Sequence, residues 1–110
     1  MINNFKCCCI SSNDRLRYSV RVTNFTNLRV KFILKYTIYD GTALKETYVL
    51  KDECKRFYFQ REATDVTLNI FDCSLSTPQL IYHECITEKI NLCFMISGTL
   101  QRIVCERRIC

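Results

Sequence analysis

Tryptophan is absent from this chain of 110 residues, and Pro78, His83, Gly41 and Gly98 are its whole supply of proline, histidine and glycine. Two isolated glycines cannot form a phosphate-cradling loop, which needs several in close succession. The lone His83 offers at most one corner of a metal site, and no C-x-x-C pair supplies the rest, so neither metal nor cofactor is expected. No apolar run approaches the roughly 18 residues of a membrane-spanning helix. Helical periodicity over ten or more residues is missing, as are internal repeats and low-complexity tracts. The first residues, MINNFKCCCISSND, lack the apolar core of a secretion signal. Two readings follow: synthesis in the cytosol, or removal of a leader ahead of Met1.

Acidic residues are missing from residues 15–39, where six cations stand: Arg15, Arg17, Arg21, Arg29, Lys31 and Lys35. Lys and Arg total 16 against 11 Asp and Glu, so this stretch carries the whole cationic surplus. Its apolar residues recur at every second position, the period of half-buried strands. Leu16, Tyr18, Val20 and Val22 share one face; Leu28, Val30, Phe32, Leu34, Tyr36 and Ile38 share another. With residues 23–27 as a hairpin loop, the cations line one outward face. Arg21 then lies near Arg29, a like-charge pairing that costs stability unless an anion docks there.

Tyr39-Asp-Gly-Thr42 is the strongest turn signal. A three-residue loop, 40–42, keeps apolar opposite apolar: Leu34 with Tyr48, Phe32 with Leu50, Ile38 with Leu44. It also adds Lys45 and Lys51 to the cationic side. Further strands are expected at Cys54–Gln60, at Val66–Phe71 with Val66, Leu68 and Ile70 inward, and at Ile90–Ile96. A Ser97-Gly98 turn would then lead to Thr99–Cys105. The sequence Phe57-Tyr58-Phe59 must turn at least one aromatic outward unless both faces are covered. Residues 74–85 read as a loop or short helix, then an edge strand at Leu80–His83. Seven or eight short strands predict an all-β, single-domain antiparallel β-sandwich over 15–110, with 1–14 as a cysteine-rich segment and a small β-barrel as the alternative. The pattern Val20-Arg-Val-Thr-Asn24 before a long alternating strand resembles many immunoglobulin-like sandwiches, a likeness of architecture that carries no function.

Nine cysteines, Cys7, Cys8, Cys9, Cys54, Cys73, Cys85, Cys93, Cys105 and Cys110, suit disulfide bracing of a secreted domain. The odd number leaves one thiol free or bridging a disulfide-linked dimer. Connectivity stays open, though a bridge from Cys93 to Cys105 across the last hairpin does not fit its register, and Cys110 suits a tied-down tail. Asn24-Phe25-Thr26 is a glycosylation sequon at a loop tip. His83-Glu84-Cys85 holds a nucleophile and a base but no third group to orient them, so no enzyme is expected.

The expected function is that of a secreted, disulfide-stabilised binding protein, with an effector, toxin-like or defence role. It would engage a protein receptor or an anionic glycan through the basic face. The alternative is a cytosolic, viral-type protein binding nucleic acid or acidic membrane, its cysteines reduced or acylated. Nucleic acid is the weaker partner, because Tyr18, Phe32 and Tyr36 fall on the apolar face rather than among the cations.

Overall fold

The computed structural model describes residues 17–110. The expectations for Cys7, Cys8, Cys9, Arg15 and the segment 1–14 lie outside those residues. Among the described residues eight strands form: β1 Arg17–Asn24, β2 Val30–Ile38, β3 Gly41–Val49, β4 Glu53–Gln60, β5 Thr64–Asp72, β6 Gln79–Ile86, β7 Leu92–Thr99 and β8 Arg102–Ile109. They build two four-stranded sheets, ordered β4-β1-β7-β8 and β3-β2-β5-β6. The β-sandwich expected from the period-two pattern is therefore the fold. One pairing departs from antiparallel: β1 runs parallel to β7.

Alternation drives this arrangement. In β5, Val66, Leu68 and Ile70 point inward, as the sequence predicts, and β2 buries Val30, Phe32, Leu34 and Tyr36. From the other sheet come Val20, Val22, Phe59, Leu92, Phe94 and Ile96. Rings meet across the interior, with Phe32 and Phe57 centroids 4.9 Å apart and Tyr82 and Phe94 5.5 Å apart. Burial of this kind contributes about 1.5–3 kcal/mol per large side chain.

Several pairings differ from the sequence reading. Strands β1 and β2 are not a hairpin, because residues 25–29 carry the chain from one sheet to the other. Alternation reveals which face of a strand is buried but not which strand lies beside it. The β2–β3 turn is Tyr39-Asp40, two residues long, with Tyr39 at φ 54°. It sets Leu34 opposite Lys45, Lys31 opposite Tyr48 and Ile38 opposite Gly41. Because β3 is an edge strand, its outer apolar residues Leu44 and Tyr48 are tolerated in water, and apolar matching does not fix the register. Residues 79–86 form the edge strand β6.

The last hairpin turns at Leu100-Gln101 rather than Ser97-Gly98, placing Cys93 opposite Arg108. Gly98 stays in the strand at φ 100°, where an added Cβ would lie 2.1 Å from the Arg102 carbonyl oxygen. Cys93 is bonded to Cys110, so a bridge does strap this hairpin, at its open end. Cys54 is also disulfide-bonded, whereas Cys73, Cys85 and Cys105 are free thiols.

Asn24, read as a glycosylation acceptor, is fully buried. Its Nδ2 donates to the carbonyls of Leu28 and Val49 at 2.8 and 2.9 Å. Its Oδ1 accepts from the Thr26 backbone N–H and hydroxyl at 2.8 and 2.6 Å. With both amide hydrogens committed, the folded domain offers no acceptor nitrogen. The sequon is a structural turn in which Thr26 serves the backbone. Replacing Asn24 with Ala strands two buried carbonyls, so we expect a loss of about 3 kcal/mol, read as a lower urea midpoint. An unchanged midpoint would remove Asn24 from this role.

Candidate functional site

The expected basic face is divided. Arg17 and Arg21 lie on the exterior of the β4-β1-β7-β8 sheet, Lys31 and Lys35 on the exterior of the other. Opposite faces of the sandwich separate them, since β1 and β2 belong to different sheets. Arg21 stands opposite Arg56, not Arg29. Arg17 lies over the Tyr58 ring at 4.2 Å, and Tyr58 is the outward aromatic between buried Phe59 and half-buried Phe57. Lys31 pairs with Glu46 at 2.7 Å, and that bond raises the Lys31 pKa. Lys45 turns inward, its ammonium donating to the Tyr58 carbonyl at 2.6 Å. Arg29 sits in a loop, 4.3 Å over the Tyr48 ring. A single cationic sheet surface is thus corrected to two separate exteriors, each carrying an ion-paired carboxylate, Glu46 beside Lys31 on one and Glu106 beside Arg108 on the other.

Strand directions gather a different constellation. The loops 25–29, 50–52, 73–78 and 100–101 all emerge at one end of the sandwich. Each holds out one large apolar side chain: Phe25 is 55% exposed, Leu50 47%, Leu75 64% and Leu100 58%. Scattered exposed apolar residues are ordinary, but here every loop of one end carries one. Arg29, Lys51 and Arg102 stand exposed at the same end. Of the carboxylates at this end, Asp72 is buried and accepts from Ser74 N–H at 2.9 Å, Glu53 accepts from Leu50 N–H at 2.9 Å beside Lys55, and Asp52 stands exposed.

Backbone bonds knit these loops. Phe25 N–H donates to Ile96, Asp52 N–H to Asn24, and Cys73 N–H to Arg29, at 2.7–2.8 Å. Arg29 N–H reaches the Ser74 hydroxyl at 2.8 Å. Phe25, Leu50 and Leu75 therefore ride on a braced frame. The signal was present in the sequence as one apolar residue inside each polar turn, but only topology shows that the four turns share an end.

On the other sheet exterior, His83 and Cys85 share a face, as strand periodicity requires. Asn69, opposite His83 on β5, supplies the third group the sequence left unmarked. Between the sheets, Tyr82 donates to Glu84, and Arg107 binds Glu84 at 2.7 Å and Glu88 at 2.6 Å. Arg107 holds the Glu88 carboxyl below its ordinary pKa, while burial and Glu84 push the Tyr82 hydroxyl well above its own. Among the described residues, no three of His, Cys, Asp or Glu converge to hold a metal, and no helix is long and apolar enough to cross a membrane.

No family model matches the chain, and no curated protein matches it. Solved structures do. Suilysin, a cytotoxin from Streptococcus suis, superposes with a TM-score of 0.66 at 9% identity, over 86% of this chain and 23% of the toxin. The membrane-binding domain of pneumolysin gives 0.65 at 9% identity, over 84% of this chain and 96% of that domain. Listeriolysin O gives 0.65 at 11%, covering 86% and 22%. The chain shares the fold of these toxin domains. It spans about a quarter of the full-length toxins.

Burial and the nearby Glu84 raise the Cys105 thiol from 9.0 to about 11. The unfolded chain loses this proton first, so the contribution is intact below about pH 9 and is lost as pH rises towards 11. Cys105→Ala should show a smaller fall in urea midpoint between pH 8 and pH 10.5 than the unaltered chain. Equal falls would contradict the assignment.

Proposed function

We propose that the chain is a toxin-like, non-catalytic binding domain that docks on a lipid surface through its loop end. In this reading Phe25, Leu50, Leu75 and Leu100 enter the interfacial zone, while Arg29, Lys51 and Arg102 meet lipid phosphates. The observation that carries it is the single exposed apolar side chain on each of the four loops. Insertion of one such residue contributes about 1.5–3 kcal/mol, and each cation near an anionic surface about 1 kcal/mol. Together these suffice for reversible docking without a spanning segment. The shared fold with a domain named for membrane binding supports the reading. The Cys93–Cys110 bridge, with toxin domains as structural neighbours, favours a secreted protein.

Sedimentation with vesicles of phosphatidylcholine, with and without phosphatidylserine, tests it. The chain should bind both, and the anionic vesicles more tightly. Phe25→Asp or Leu100→Asp should each weaken binding at least about tenfold. Tyr39→Asp, at the opposite end, should leave it unchanged. Full binding by the aspartate variants, abolished by high salt, would instead mean charge attraction to the sheet exteriors and defeat the proposal.

A further inference from the structure

The exterior of β5 and β6 carries a second arrangement, away from the loop end. His83 and Cys85 stand two residues apart on edge strand β6, and Asn69 lies across from His83. Asn69 Oδ1 is 2.6 Å from His83 Nδ1. A carbonyl oxygen only accepts, so Nδ1 carries the hydrogen and donates it, leaving Nε2 with the lone pair of the neutral ring. That Nε2 is 3.8 Å from the Cys85 sulfur. A base, oriented by an amide, thus faces a solvent-accessible thiol.

A cleft of about 390 Å³ opens at Cys85, lined also by Ala63, Val66, Thr67, Ile86 and Lys89. This is within the range of small-ligand sites. Its mixed wall holds Asp65 and Lys89, the latter's ammonium using one of its three hydrogens on the Ala63 carbonyl at 2.8 Å, and suits a zwitterionic peptide-sized molecule. Because β6 ends away from the four apolar loops, docking of those loops leaves the cleft open.

We propose that Cys85 is a thiol–disulfide exchange site for small peptide disulfides. His83 Nε2 takes the Cys85 proton, and the thiolate attacks one sulfur of the disulfide. A bond forms between Cys85 and that sulfur while the original sulfur–sulfur bond breaks. The departing thiolate keeps the electron pair and takes the proton from His83. Cys85 is oxidised to the mixed disulfide, and the departing half of the substrate is reduced to a thiol. Acyl transfer is the poorer fit. Backbone amides of β5 and β6 lie in the sheet plane, so none aims at an oxyanion above it. Disulfide exchange needs no oxyanion donor, only a thiolate with access to the substrate.

Cys73 and Cys105 provide internal controls, since both are free thiols and neither has an imidazole partner. The folded chain would be treated with glutathione disulfide at pH 7 and mapped by peptide mass spectrometry over time. An ordinary thiol is only a few per cent ionised there, so a base can raise its rate on the order of tenfold. Cys85 should be glutathionylated about tenfold faster than Cys73, and reduced glutathione should reverse it. In His83→Ala, the Cys85 rate should fall to within about twofold of Cys73. Equal rates at Cys85 and Cys73 in the unaltered chain would overturn the proposal. A Cys85 rate unaffected in a folded His83→Ala chain would do so as well.

Discussion

The side-chain amide of Asn24, at the end of β1, ties the two sheets together where the loops emerge. Through Val49 it holds β3 and through Leu28 the approach to β2, while the backbone carbonyl of Asn24 accepts from Asp52 N–H at the next turn. The two side-chain amide bonds lie out of water, where an unmade hydrogen bond is costly and a made one is firm. Phe25 is the next residue in the chain, and Leu50 follows Val49. Two of the four exposed apolar side chains are therefore positioned directly by this buried knot. Leu75 follows from it through the Cys73–Arg29 and Arg29–Ser74 contacts, and Leu100 stands just past β7, whose Ile96 carbonyl accepts from Phe25 N–H. Apolar side chains exposed to water keep their places because the polar groups beneath them are satisfied.

Much of the fold was legible because alternation is local. Val66, Leu68 and Ile70 could be assigned inward from spacing alone, and the edge strand near Leu80 from the breaker Pro78. What spacing could not supply was adjacency. Residues 23–27 look like a hairpin link, and only the buried fate of Asn24 reveals a crossing between sheets. That one crossing dissolves the cationic face, because it sends Arg21 and Lys31 to opposite exteriors. The last hairpin misled for a related reason. Gly98 resembles a turn residue, but it is required where the Arg102 carbonyl passes too close for any side chain. The turn lies two residues on, which brings Cys110 to Cys93.

The candidate sites show the same division. His83 and Cys85 were paired by strand period, since both lie on one strand. Asn69 is on another strand and enters only through register. The loop-end group was harder to read: each polar turn shows its apolar residue, but the four lie 25 residues apart and nothing in the sequence brings them to one end. Their common end is a consequence of strand direction. The sandwich thereby separates two features, exposed apolar side chains on the loops of one end and a cleft lined by Cys85 towards the other.

Depth-dependent fluorescence quenching tests the central claim most directly. Tryptophan, absent from the natural chain, would replace Leu100 in one variant and Tyr39 in another, each mixed with vesicles of brominated lipids. The account predicts that Trp at 100 is quenched by bromines near the headgroup boundary while Trp at 39 stays unquenched. Equal quenching at both ends, or none at position 100 on vesicle-bound protein, would contradict a domain that docks by its loops.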